Sequence, residues 1–199
     1  MDYNAQVTEF LSRRENLLFA FEIVERLEDV KDKFQKEFWL GVRDVIRRRL
    51  ARSGQTGRWE IDFPNESKLN GTSWMYCNLF PMNVTDEQYC LGMGLQQWGS
   101  QNSCRFACGV WWSETIKGKI KWPLVQKLAK QLGKEGFDDI ASGWLGVRYL
   151  DLAPRSKELV LRMVAGKHIV IEEMADLLWT LFESKHTMIE AANRALAKR

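Results

Sequence analysis

Residues 58–113, RWEIDFPNESKLNGTSWMYCNLFPMNVTDEQYCLGMGLQQWGSQNSCRFACGVWWS, decide the fold. They hold all four cysteines and Trp59, Trp74, Trp98, Trp111 and Trp112. Apolar residues alternate along four runs, and each run ends on a turn-forming residue. The first runs from Arg58 to Phe63 and closes on Pro64. The second covers Thr72 to Phe80 and closes on Pro81, and the third covers Gln88 to Trp98 before Gly99-Ser100-Gln101-Asn102. The fourth is Ser103 to Ser113. Short connections between neighbouring runs predict an antiparallel meander.

Period two sorts the side chains into two faces. One carries Trp59, Ile61, Phe63, Met75, Cys77, Leu79, Tyr89, Leu91, Met93, Leu95, Cys104, Phe106, Cys108, Val110 and Trp112, and is the expected core face. The other carries Arg58, Glu60, Asp62, Trp74, Tyr76, Asn78, Gln88, Cys90, Gly92, Gly94, Gln96, Arg105, Ala107, Gly109 and Trp111. Glycine inside a strand marks close approach of a backbone or a ligand. This second face therefore reads either as a binding floor ringed by Arg58, Trp74, Tyr76, Gln96, Arg105 and Trp111, or as the seat of one of the chain's own helices.

Helical spacing governs the flanks. Residues 4–28 read as a helix with a break near Ser12-Arg13-Arg14, and Leu17, Phe21, Val24 and Leu27 form its stripe. Asp29 to Arg52 reads as a second helix, closed by Ser53-Gly54. Arg47, Arg48, Arg49 and Arg52 gather in its last turns, where cations suit the helix dipole. After a basic linker from Ile116 to Lys121, a third helix opens at Trp122-Pro123. Leu145, Val147 and Tyr149 alternate as in a short fifth strand. Arg155 to Val164 reads as helix, Gly166 to Val170 as a loop or brief strand, and Ile171 to Ala197 as one long helix or two that bend near Ser184. The expected fold is α+β: a four- or five-stranded, mainly antiparallel sheet packed with helices from both chain ends. We expect one domain over residues 1–199, with a helical segment at 1–53, the meander at 58–113 and a second helical segment at 122–199.

The totals narrow the class. A chain of 199 residues that is 45% hydrophobic and 28% charged can bury a core. A net charge of +3 implies no strong field for nucleic acid. No apolar run nears the roughly 20 residues that span a bilayer, and Met1 to Phe10 has no apolar signal-like core, so we expect a cytoplasmic protein without a membrane partner. Cys77, Cys90, Cys104 and Cys108 contain no C-x-x-C pair and have no histidine nearby, which points to reduced core residues rather than a metal site.

Catalytic signatures are sparse. There is no Walker A loop, no G-x-G-x-x-G and no H-E-x-x-H. His168 and His186 read as solvated side chains. Glu60 and Asp62, with Glu66-Ser67-Lys68, faintly resemble the acidic–acidic–lysine set of metal-dependent nucleases, but the lysine falls in an expected loop, where that chemistry wants a strand. Glu183-Ser184-Lys185 repeats the pattern in a helix. No cofactor is expected.

The order of elements carries a resemblance. A helix pair running through Phe38-Trp39 to an arginine-rich end, then a tryptophan-rich sheet with Gly92-Met93-Gly94-Leu95 and Gly109-Val110-Trp111-Trp112, then further helices, resembles the region C-terminal to the nuclease core in bacterial defence proteins of the PD-(D/E)XK superfamily. That resemblance implies a non-enzymatic accessory or regulatory module of phage–host conflict with a protein partner. A nucleic-acid binder using the aromatic sheet face, and a metal-dependent nuclease, are the competing expectations.

Overall fold

In a computed structural model of the chain, the structure describes residues 2–69, 74–82, 90–98, 104–113, 122–138 and 143–197. Helix α1 (Tyr3–Ser12) and helix α2 (Arg14–Arg52) lead into strands β1 (Trp59–Asp62), β2 (Met75–Pro81), β3 (Leu91–Trp98) and β4 (Arg105–Trp112). Helix α3 (Pro123–Lys134), strand β5 (Trp144–Tyr149) and helix α4 (Lys157–Ala197) complete the chain. The five strands pair in chain order, each antiparallel to the next. This is the expected α+β architecture, with helices from both ends on the sheet. The alternation at Leu145, Val147 and Tyr149 is a fifth strand. Expectations that fall on Gln88 and Tyr89, on the Gly99–Asn102 turn and on the 116–121 linker lie outside the described residues.

Two helix boundaries differ from the sequence reading. No break separates 28 from 29, because α2 runs unbroken for 39 residues. No proline interrupts it, and its one glycine, Gly41, serves packing: a Cβ there would come 2.5 Å from Ile171 Cδ1 of α4. The only discontinuity is at Arg13, in extended backbone (ψ 138°), between α1 and α2. The expected loop at 166–170 is a kink at one residue inside α4, where Gly166 alone leaves the helical region (φ −177°, ψ 73°). Gly54, with φ 69°, ends α2 as expected, and Gln55 N–H reaches back to Leu50 O at 3.1 Å.

Strand parity places the core. Cross-strand partners include Cys77 with Leu95 and Leu95 with Cys108, so the expected core residues stack in rows. These rows join Phe38, Trp39, Val42 and Ile46 of α2, Val125, Leu128 and Leu132 of α3, and Leu178, Phe182 and Ile189 of α4 in one buried cluster. Phe38, Trp39 and Phe106 pack with ring centroids 5.2 to 5.9 Å apart. Burying each such side chain contributes about 1.5–3 kcal/mol.

Two polar devices sit inside this core. Gln97 is fully buried on the core face, and its Oε1 accepts from Trp39 Nε1 and Gln35 Nε2, each at 3.3 Å. The Asn193 carboxamide of α4 accepts from Leu91 N and donates to Leu91 O, both at 2.8 Å. Extending the β2–β3 register by two residues sets Pro81 opposite Leu91, and proline has no N–H to offer. A helix side chain thus completes the ladder where β2 lacks a donor.

Candidate functional site

The second face of the sheet carries no helix among the described residues. Its buried cluster, Ala107, Trp144 and Val147 with Trp111 beside it, contains strand residues only, whereas the buried apolar residues of α2, α3 and α4 belong to the other face's cluster. The glycine floor is nevertheless filled. A Cβ on Gly92 would meet Trp111 Cζ2 at 2.6 Å, and one on Gly94 would meet Asn78 Oδ1 at 2.1 Å. Each glycine admits the side chain of its cross-strand partner, since Gly92 pairs with Trp111 and Gly94 with Asn78. Gln96 Nε2 donates to Asn78 Oδ1 at 3.0 Å and holds that carboxamide down.

The six residues singled out from the sequence are not all accessible, although the strand register keeps Tyr76, Gln96, Arg105 and Trp111 on one sheet face. Gln96 is buried. Arg58 is held by α4, with Nη2 2.7 Å from Glu190 Oε2, beside Trp59 Nε1 on Glu190 Oε1 at 2.9 Å. Trp74 is 61% exposed and lies tilted against Tyr76, centroids 5.5 Å apart. The Tyr76 hydroxyl has a raised pKa, mainly from burial and then from the Asp62 carboxylate it bonds. Arg105 is exposed and Trp111 half-buried across the sheet. Among the described residues, what stays accessible is a rim of Trp74, Arg105 and Tyr149 with the carboxylate of Glu60, which mixes charges.

The other chemical candidates are engaged in structure. Asp62 bonds Tyr76, Glu66 pairs with Arg43 Nη1 at 2.7 Å, and Glu66–Lys68 is a 3₁₀ turn. Among the described residues, no three His, Cys, Asp or Glu side chains gather as a metal set. Burial pushes the Cys77 and Cys108 thiols up to about 12, and Cys104 also upward. All four cysteines are buried and unlinked. Arg47, Arg48 and Arg49 contact Asp44, Glu172 and Asp176, so the arginine-rich end of α2 is paired with carboxylates. His168 is exposed; His186 is not simply solvated, since its ring stacks on Phe182 at 5.0 Å. A shallow cleft beside α4 is lined by Glu135, Phe137, Arg148 and Asp176. Its charged groups already have partners: Glu135 pairs with buried Lys185, Arg148 lies over Phe137, and Asp176 pairs with Arg49.

The largest unexplained surface is elsewhere. From Asp2 to Val30 every residue is exposed except Asn16 and Ala20, which are half-buried. Twelve large apolar side chains stand in water there, among them Leu18 at 72%, Phe19 at 65% and Ile23 at 64% exposure. Helix α2 is therefore two objects. Its C-terminal half, from Phe34 on, packs on the sheet and α4. Its N-terminal half, with α1, is an arm tied at its base to Arg155, which bonds Glu28 at 2.6 Å and Asp32. Those two bonds outweigh burial and raise the Arg155 pKa. The sequence stripe at Leu17, Phe21, Val24 and Leu27 was legible, but periodicity reports that a face is apolar, not whether anything covers it.

No protein-family model matches this chain, and no curated protein and no solved structure does. No helix among the described residues is long and apolar enough to cross a membrane.

Proposed function

We propose that this protein is a non-enzymatic protein-binding module, and that the α1–α2 arm is its docking element. One observation carries the reading: twelve large apolar side chains lie exposed on one helical arm. Contiguous apolar surface of that extent on a globular protein marks an interaction site. The resemblance in element order supports placing the module in a phage–host defence or counter-defence system. Four unlinked, buried cysteines support a reducing, cytoplasmic compartment.

Less supports the competing functions. A nucleic-acid platform would need a cationic face, yet the accessible sheet rim carries Glu60 with Arg105, and the arginines of α2 are paired. A nuclease would need Glu60, Asp62 and Glu66 to converge on an ion, while Asp62 is turned to Tyr76 and Glu66 to Arg43.

The test is affinity capture with the full chain, followed by titration of the recovered partner at two salt concentrations. Wild type is expected to bind with weak salt dependence, and a Leu18→Glu, Phe19→Glu double variant to lose binding while keeping its fold. Undiminished binding by that variant, or affinity for an oligonucleotide that falls steeply with salt, would contradict the reading.

A further inference from the structure

We propose that the apolar face of the arm docks on the same face of a second copy of this chain, with the two arms antiparallel. This rests on the reading that the arm binds protein, and commits it to one occupant.

Helical phase gives the first argument. Leu17, Phe21, Val24 and Leu27 occupy the same angular sector of α2 as Phe38, Val42 and Val45, which pack in the body. The packing stripe therefore continues past the point where this chain stops covering it. Phe19 and Ile23 widen it, so the arm offers more than a single narrow seam. From Arg14 to Glu28 the stripe extends about 20 Å, at roughly 1.5 Å per residue. A helical segment of this length is marginal in water without a packing partner. The exposed apolar area is on the order of 1,000 Å², against the roughly 800 Å² per partner that a stable interface buries.

Charge selects the occupant. Between Tyr3 and Val30 the arm carries six carboxylates and three guanidinium groups. That acidic balance disfavours an anionic lipid surface, which binds basic amphipathic helices. The carboxylates are also sorted along the arm: Glu22, Glu25, Glu28 and Asp29 crowd its base with Arg26 among them, whereas Arg13 and Arg14, flanked by Glu9 and Glu15, stand at the start of α2. Two arms side by side in parallel would set acidic base against acidic base. Antiparallel, the start of α2 in each, with its two arginines, meets the acidic base of the other, twice, around a two-fold axis. Such an interface is isologous and closes at two copies.

Sedimentation equilibrium of the full chain decides it, at about 10 µM, where an interface of this size is populated. The expected mass is twice the 23.2 kDa chain. Phe21→Glu with Ile23→Glu should halve that mass and leave the melting of the body unchanged. Orientation is read by mixing Arg14→Cys chains with Asp29→Cys chains: a cross-link between the two kinds is expected. Monomeric wild type, a double variant that stays dimeric, or cross-links confined to Arg14→Cys with itself would each overturn the proposal. Monomeric wild type whose captured partner is lost in the arm variant would overturn only the second copy, leaving the docking role standing. Monomeric wild type with capture unaffected by the arm variant would remove both.

Discussion

Gly92, Gly94 and Gly109 show how a glycine in a strand can be misread. From sequence they read as a floor for a ligand or for one of the chain's own helices. In the structure Gly92 and Gly94 are occupied by the chain's own Trp111 and Asn78, and Gly109 is crowded by backbone: a Cβ there would lie 2.2 Å from Gly146 O. We predict that Gly109→Ala destabilises by about 1–3 kcal/mol, because neither strand can give way without breaking its ladder. Gly94→Ala should cost less, since only the end of the Asn78 side chain must move. Thermal melts of the two variants check the order, and equal melting would contradict it. The cysteines carry a second prediction. Cys77 and Cys108 titrate near 12 in the fold against an ordinary value of 9.0. The unfolded chain therefore releases these protons first, and stability is full below pH 9 and falls as pH rises toward 12. Denaturant midpoints across that window should drop, and replacing both thiols with alanine should flatten the slope.

At the scale of elements, most of the architecture was legible. Turn residues bounded the strands and period two gave the right core face for β1 to β4, which alternate with one face on helices. Strand β5 departs from alternation, because its register with β4 shifts between Val110 and Trp111 and sends Leu145 and Val147 into different clusters. The helix boundaries were less legible. Position 28–29 has no breaker, and a period-3.6 pattern cannot show where a helix leaves the body. Polar core residues escaped altogether: parity sets Gln97 on the face of Leu95, but nothing marks it as a core residue until Trp39 and Gln35 are seen to converge on it. Asn193 is the sharpest case, a polar residue late in an apolar helix that completes the backbone of β3. Asn193→Ala should destabilise by roughly 2–4 kcal/mol, because two buried backbone groups lose partners at once. A loss below about 0.5 kcal/mol in denaturant titration would show that water replaces the carboxamide.

At the scale of the whole molecule, the body and the arm obey different physics. The body buries its apolar rows between one sheet and three helices and pairs its charges internally. The arm shares a helix with the body but, among the described residues, none of its cover, and Arg155 marks the junction. Arg155→Ala should loosen the arm base at Glu28 and Asp32 while leaving the core intact; proteolysis should then cut faster within residues 14–32, with no comparable change in the melting of the body. The interest of the chain thus moves from the aromatic sheet face to its first thirty residues. The most direct test of that shift is amide hydrogen exchange of residues 14–30 in the full chain as a function of its concentration. If the arm is a docking surface filled by a second copy, protection there should be high in concentrated samples and disappear on dilution, while the body stays protected throughout. Arm exchange that is equally fast, or equally slow, at every concentration would contradict it.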